Sequence, residues 1–203
     1  MLLDRRLDCV MLLNMKLLRV ISLAVLPVFG AGALLAECPS GEDYTGELQA
    51  LIEKARSAET FMEGRGVSGE MWEVWLRAPD AAAQEVLDTG MQRRHSHDYA
   101  GALAEFDRLV AYCPTYAEGF NQRAFANYLS GNFEKALVDL DIAIALQPYH
   151  VAAQSGRALT LMNMGRIAEA REQMLIAVEN NPWLSERALL AKGAPLGPVG
   201  EDI

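Results

Sequence analysis

The sequence predicts an all-α protein built from stacked helix hairpins, and three observations support this. A stretch of 18 residues occurs three times at intervals of 34: "HDYAGALAEFDRLVAYCP", "GNFEKALVDLDIAIALQP" and "GRIAEAREQMLIAVENNP". Each copy ends in a proline, at Pro114, Pro148 and Pro182. Within each copy, small and large apolar residues follow one another at spacings of three and four, as on one helix face. Repeats of this length bury their apolar faces by stacking on their neighbours.

The second helix of each hairpin has the clearest pattern. Alanine comes three residues after the turn, a large apolar residue follows four positions later, and another apolar residue comes three positions after that. Small residues let two helix backbones approach, and the large ones fill the remaining space. The positions are Ala102, Phe106 and Leu109, then Ala136, Leu140 and Ala143, then Ala170, Met174 and Ala177.

The first helix of each hairpin is indicated by its ends. Thr115 and Glu118 have the spacing of a capping box, which satisfies the free amides at a helix start. Gly131 and Gly165 end first helices, because glycine adopts the left-handed conformation at little cost. The three units therefore span residues 81–114, 115–148 and 149–182.

In period, small-to-bulky spacing and terminal proline, these units resemble the tetratricopeptide repeat (TPR) family. The unit 117–150 matches best, although the tryptophan and tyrosine of the family's first helix are replaced in all three units. The resemblance implies a right-handed α-solenoid with a C-terminal capping helix. The matching residues are Phe120, Ala124, Gly131, Phe133, Ala136, Leu140, Ala143 and Pro148.

The resemblance also implies a partner site. In the family, the first helices line a concave groove that holds a peptide or a partner helix. The family's carboxylate clamp uses groove lysines and asparagines, and this groove has Asn121 but no lysine. Its apolar strip suits a hydrophobic or amphipathic segment, unless these side chains simply pack under the capping helix. The groove residues are Met91, Arg94, Asn121, Phe125, Tyr128, Ser155, Leu159 and Met162.

Helical segments flank the three units. Residues 37–80 predict a degenerate fourth hairpin, with helices over 46–63 and 68–80 separated at "GRG". Its Trp72 and Trp75 share a face and either pack against the repeats or bind a ligand. Residues 183–192 predict the capping helix, with proline in its first turn. Residues 193–203 predict a flexible tail.

The first 36 residues have the layout of a secretory signal. Lys16 and Arg19 precede an apolar run that ends in small residues, as in signal peptides. We expect translation to start at Met15, with Met11 as the alternative start. We also expect the protein to be exported, with the bacterial periplasm as its location. The alternative is an uncleaved membrane anchor. In an exported chain, Cys38 and Cys113 form a candidate disulfide, and the alternative is two unrelated thiols.

The sequence shows no set of residues for catalysis. A formal net charge of −9 disfavours nucleic acid as a partner. His95 and His97 lie two residues apart near a turn and are read as solvated, so neither a metal nor a cofactor is predicted. Arg123 and Arg157 occupy the same position in consecutive units. Their candidate ion-pair partners on the second helices are Glu105, Asp107, Asp139 and Asp141, with a ligand carboxylate as the alternative.

These features predict a non-enzymatic protein–protein interaction module, an exported adaptor whose groove binds a peptide or helix of another protein. The alternative is a structural subunit, or a self-associating brace, of a cell-envelope assembly.

Overall fold

The computed structural model describes residues 37–198, so the predicted signal segment 1–36 and residues 199–203 lie outside the described residues. The described part is all-helical, as predicted. None of its helices has the length and hydrophobicity needed to span a bilayer. The elements are α1 (Thr45–Ser57), α2 (Phe61–Trp75), α3 (Ala81–His95), α4 (Tyr99–Tyr112), α5 (Ala117–Leu129), α6 (Phe133–Leu146), α7 (Val151–Asn163), α8 (Ile167–Asn180) and a 3-10 helix (Ser185–Leu190).

Three helix pairs form the body of the fold. Helices α3 and α4, α5 and α6, and α7 and α8 pack within pairs, while α4 contacts α5 and α6 contacts α7, so the pairs stack in chain order. Ala102, Ala136 and Ala170 have no exposed surface. A larger side chain at these crossings would push the two helices of a pair apart.

The turns inside the pairs repeat the same backbone conformation. Gly131 and Gly165 have φ angles of 75° and 76°, which confirms the predicted left-handed ends of the first helices. In the first pair the equivalent position holds His97, with φ 62°. A non-glycine residue is uncommon in this region, so His97 occupies a conformation that the turn requires.

The N-terminal hairpin divides at a different place from the one predicted. Helix α1 ends at Ser57, and α2 runs through the "GRG" stretch that was expected to form the turn. The hydroxyl of Thr60 accepts the Glu63 amide at 3.3 Å, and the Glu63 carboxylate accepts the Glu59 amide at 3.0 Å. This capping arrangement starts α2 earlier, because it satisfies amides that a helix start leaves free.

The hairpin also packs in an unexpected position. The apolar core of the hairpin includes Val151 of α7 and borders Trp183. The hairpin therefore contacts the last unit and does not extend the stack at its N-terminal end. The Trp183 indole donates to the Ala55 carbonyl at 2.8 Å, and Asn181 donates to the Ser68 hydroxyl at 2.9 Å. A Cβ at Gly64 would overlap the Trp183 ring, so glycine is required for this close approach.

The C-terminal segment differs from its prediction in two ways. Within the predicted capping segment 183–192, the structure has a 3-10 helix over Ser185–Leu190. Trp183 contacts the hairpin, while Leu189 and Leu190 pack beside α8. The prediction of a flexible tail from residue 193 is wrong for residues 193–198. Leu196 has no exposed surface, and its amide donates to the Leu189 carbonyl at 2.9 Å.

A disulfide joins Cys38, before α1, to Cys113 at the end of α4. The Sγ–Sγ distance is 2.03 Å and the Cα–Cα distance is 5.1 Å. Cys113 is fully buried. The bond thus connects the segment leading into the N-terminal hairpin to the first helix pair.

Two glycine substitutions on α2 are expected to have opposite effects. Gly64→Ala forces a Cβ into the Trp183 ring and should lower the free energy of unfolding by about 1–3 kcal/mol. Gly66→Ala meets nothing within 4 Å and should raise the free energy by up to about 1 kcal/mol through helix propensity. Urea unfolding followed by circular dichroism measures both. If both substitutions stabilised the protein, the close packing of Gly64 against Trp183 would be wrong.

Reduction of the disulfide is expected to destabilise the protein. The bond closes a loop with a sequence separation of 75, so its loss should cost about 2–4 kcal/mol of unfolding free energy. Urea unfolding with and without dithiothreitol measures the difference. The free energy of unfolding of Cys113→Ser should change little with reductant. A linked Cys38–Cys113 peptide should appear only in the unreduced tryptic digest.

Candidate functional site

A cavity of about 410 Å³ lies against the first helices of all three pairs. Helices α3, α5 and α7 supply most of its wall, together with Trp72 of α2 and Leu76 directly after α2. Glu186 of the 3-10 helix completes it. The predicted groove residues that line the cavity are Met91, Arg94, Asn121, Phe125, Tyr128, Ser155 and Leu159.

Met162, the remaining predicted groove residue, does not line the cavity. Its side chain is half-buried against the apolar cluster that contains Leu161, Met174 and Leu196. The ordered C-terminal segment supplies Leu196 to this cluster, so Met162 serves packing in the last unit.

The two tryptophans of α2 have different environments. Trp75 is buried and stacks on the ring of His150, with centroids 4.5 Å apart and planes at 10°. Trp72 remains 39% exposed and forms part of the cavity wall. One tryptophan therefore packs against the repeats, and the other faces the space available to a ligand.

The cavity keeps a large aromatic surface open. Phe125 is 42% exposed. A phenylalanine that packs in a core is usually buried. The 3-10 helix leaves this side chain uncovered, so packing under a cap does not account for it. An open aromatic side chain in a concave, mostly apolar site is typical of a binding surface.

Arg94 is the main cationic group of the cavity. Its guanidinium carbon lies 4.5 Å from the centroid of the Phe125 ring. Its Nε is buried and has no hydrogen-bond partner within residues 37–198. Desolvation lowers the pKa of Arg94, while the charge of Glu118 acts in the opposite direction.

Behind the cavity wall lies a buried polar network centred on Glu118. Glu118 is 1% exposed, and its carboxylate accepts hydrogen bonds from Asn121 Nδ2 at 3.0 Å, from Gln122 Nε2 and from His150 Nε2 at 2.8 Å. Three donors compensate much of the cost of burying this charge. The network thereby holds two cavity residues, Asn121 and Gln122, in place.

His150 connects this network to the next helix and to the hairpin. Its Nδ1 accepts the Ala153 amide at 3.3 Å and so caps α7. An acceptor Nδ1 leaves the proton on Nε2, which donates to Glu118. With Trp75 stacked on its ring, His150 joins α5, α7 and α2.

The sequence patterns did not identify this network. Glu118 was assigned to a capping box with Thr115, and that assignment is wrong. The N-cap residue of α5 is Tyr116, without a side-chain capping bond. One signal in the sequence could have indicated the network. Glu118, Asn121 and Gln122 are polar, yet they lie on a helix that packs against both α4 and α6.

The repeated arginines lie in an outer ladder and do not line the cavity. Arg123 pairs with Asp139 of its own unit through two bonds, at 2.6 and 2.9 Å, and with Asp107 of the preceding unit at 2.8 Å. Arg157 bonds Asp141 of the preceding unit at 2.6 Å and Gln173 of its own unit at 3.1 Å. Each guanidinium therefore links two consecutive second helices.

The histidines considered as metal ligands lie apart from the cavity. His95 and His97 are both exposed near the turn between α3 and α4. Over residues 37–198, no group of three or more His, Cys, Asp or Glu side chains is placed to hold a metal ion.

The helix pairs and the inner cavity define a helical-repeat solenoid, and curated proteins with similar sequences carry TPR names. The chain is 39% identical over 64 residues to a TPR repeat-containing protein of Rhizobium etli. It is 32% identical over 114 residues to tetratricopeptide repeat protein 36 of Xenopus tropicalis. These matches cover 32% and 53% of the chain, and 31% and 55% of the relatives. The chain thus spans about half or less of the curated relatives it matches.

Solved structures with a similar fold are TPR domains. The first TPR domain of Spaghetti (RPAP3), bound to the HSP90 peptide SRMEEVD, has a TM-score of 0.51 at 21% identity and matches 52% of this chain and 84% of that one. The TPR2B domain of yeast Sti1, in its Hsp70 complex, has a TM-score of 0.50 at 22% identity and matches 54% and 88%. No family model matches the chain. The chain thus has a TPR-like fold, and part of its sequence is similar to curated TPR proteins.

The network makes Glu118 a sensitive position. Glu118→Ala leaves three buried donors without their acceptor and should lower the free energy of unfolding by at least about 2 kcal/mol. Glu134→Ala, at an exposed position of α6, should change it by less than about 0.5 kcal/mol. Urea unfolding of both variants measures the difference. Equal effects would show that the Glu118 network does not contribute to stability.

Proposed function

We propose that this protein is a non-enzymatic interaction module that binds a short peptide segment of another protein in the cavity. The observation that carries the proposal is the uncovered Phe125 in a cavity formed by all three first helices and α2. Apolar walls with a few convergent polar groups are the usual composition of a ligand site.

The size of the cavity favours a short extended segment. A volume of about 410 Å³ lies at the low end of the range for pockets that hold drug-sized ligands. A helix is about 10–12 Å across with its side chains. Trp72 and Leu76 already form one wall of the cavity. A helical partner would have to displace the N-terminal hairpin, whereas one or two peptide side chains need no such displacement.

Two further observations support the proposal. The first TPR domain of Spaghetti is solved with an HSP90 peptide and the Sti1 TPR2B domain in a pHsp70 complex, which is an analogy at the level of the fold alone. The signal-like segment and the Cys38–Cys113 bond fit an exported adaptor of the bacterial envelope. Disulfides persist in such oxidising compartments.

One observation favours the alternative of a self-associating brace. The second helices expose apolar side chains away from the cavity, with Val138 59% exposed and Leu175 and Ile176 nearly half exposed. Exposed apolar surface can serve as an interface between protein copies. Analytical ultracentrifugation of the chain and of Val138→Lys would detect such association.

Selection from a displayed library of random octapeptides tests the cavity directly. The chain should enrich a family of sequences that contains large apolar residues. Phe125→Ala removes the open aromatic ring and should weaken binding of a recovered peptide by about tenfold or more, consistent with the loss of a binding hot spot. Val138→Ala, on the outer face, should leave the affinity unchanged.

Isothermal titration calorimetry measures these affinities. Circular dichroism melting shows whether each variant is folded. No enriched family, or equal affinities for the chain and folded Phe125→Ala, would overturn the proposed site.

A further inference from the structure

Building on the proposed function, we infer that the cavity selects a peptide segment in which one acidic side chain lies beside large apolar residues. Arg94 is the residue that determines this specificity. The preferred ligand thus carries one carboxylate for Arg94 and apolar side chains for the aromatic wall.

The environment of Arg94 carries the inference. Its side chain is half-buried, and no carboxylate of residues 37–198 lies within ion-pair distance of it. The outer arginines Arg123 and Arg157 each have such a partner. Its buried Nε has no acceptor within the described part of the chain. A half-buried guanidinium without a counter-charge is costly, and a ligand carboxylate in the cavity would supply that charge.

Phe125 fixes where the ligand carboxylate can bind. The guanidinium carbon of Arg94 lies 4.5 Å from the centroid of the Phe125 ring, so the ring occupies that side of the guanidinium and an acceptor must approach from another side. Arginine presents its N–H edges in the geometry of a carboxylate. The apolar neighbours of the acidic residue would then contact Phe125 and Trp72, which are both partly exposed.

The walls around Arg94 favour a peptide over a simple anion. They are mostly apolar, and the side chains of Phe125 and Trp72 keep exposed surface. A simple anion would leave this apolar surface in water, whereas the side chains of a peptide would cover it.

The other polar groups of the cavity limit the ligand to a single acidic residue. Asn121 already donates to Glu118, and Glu118 has three donors of its own. Glu186 lines the cavity from the C-terminal segment, while Arg94 belongs to the first unit. With a net charge of −9, the chain would repel a polyacidic segment.

The octapeptide selection distinguishes this inference from the function on which it rests. Peptides enriched on the chain should contain one Asp or Glu next to large apolar residues. Selection on Arg94→Gln should keep the apolar residues and lose the acidic one. Arg108→Gln, which removes an exposed arginine, should enrich the same acidic sequences as the unmodified chain.

A double-mutant cycle then tests direct contact. In a recovered peptide with blocked ends, replacing the acidic residue by its amide should weaken binding to the chain about tenfold or more, as for a lost charge-assisted bond. The same replacement should have little effect on binding to Arg94→Gln, because coupled groups are non-additive. Arg108→Gln should show the full loss.

The outcomes separate the two proposals. Enriched apolar peptides without an acidic residue, or additive effects in the cycle, would overturn the role of Arg94 and leave the peptide site intact. Absence of any enriched family would overturn the proposed function itself. If Arg94→Gln does not fold, the tenfold loss between the acidic peptide and its amide on the unmodified chain still decides for or against the acidic specificity.

Discussion

The close approach of paired helices at fully buried alanines is the constraint on which the rest of the structure depends. Ala102, Ala136 and Ala170 recur every 34 residues without exposed surface, so each pair packs with the same geometry. Equal geometry brings equivalent residues of the first helices side by side. Met91, Phe125 and Leu159 are also 34 residues apart, and together they form one wall of the cavity. The binding surface is therefore a consequence of the packing inside the pairs.

The N-terminal hairpin converts this surface into a cavity. It packs against the last unit through Val151 and His150, and Tyr116 of the middle unit donates to the Trp75 carbonyl. Glu118 connects these contacts to the cavity, because the same carboxylate binds His150 behind the wall and Asn121 within it. The shape of the ligand site and the position of the hairpin thus share one buried polar network.

Arginine has two distinct roles in this protein. On the outer side, Arg123 bonds carboxylates of two units and stabilises their stacking. In the cavity, Arg94 rests on an aromatic ring and has no carboxylate within ion-pair distance in the described part of the chain. The difference follows from the neighbours, since the second helices carry Asp107, Asp139 and Asp141, whereas the first helices place apolar side chains around Arg94. The same guanidinium chemistry serves assembly on one side and ligand selection on the other.

The sequence alone determined the helix pairs, their period, the glycine turns and seven of the sixteen residues that line the cavity. These features depend on local spacing, which a helix converts directly into faces and ends. Only the tertiary structure decided where the N-terminal hairpin packs, that Glu118 is a buried network centre and not a cap, that Met162 packs into the last unit, and that Leu196 is buried. Those features depend on contacts between distant residues, such as Ala55 with Trp183, 128 positions apart. No local periodicity encodes such a contact, because it arises from the shapes of two surfaces that exist only after each has folded.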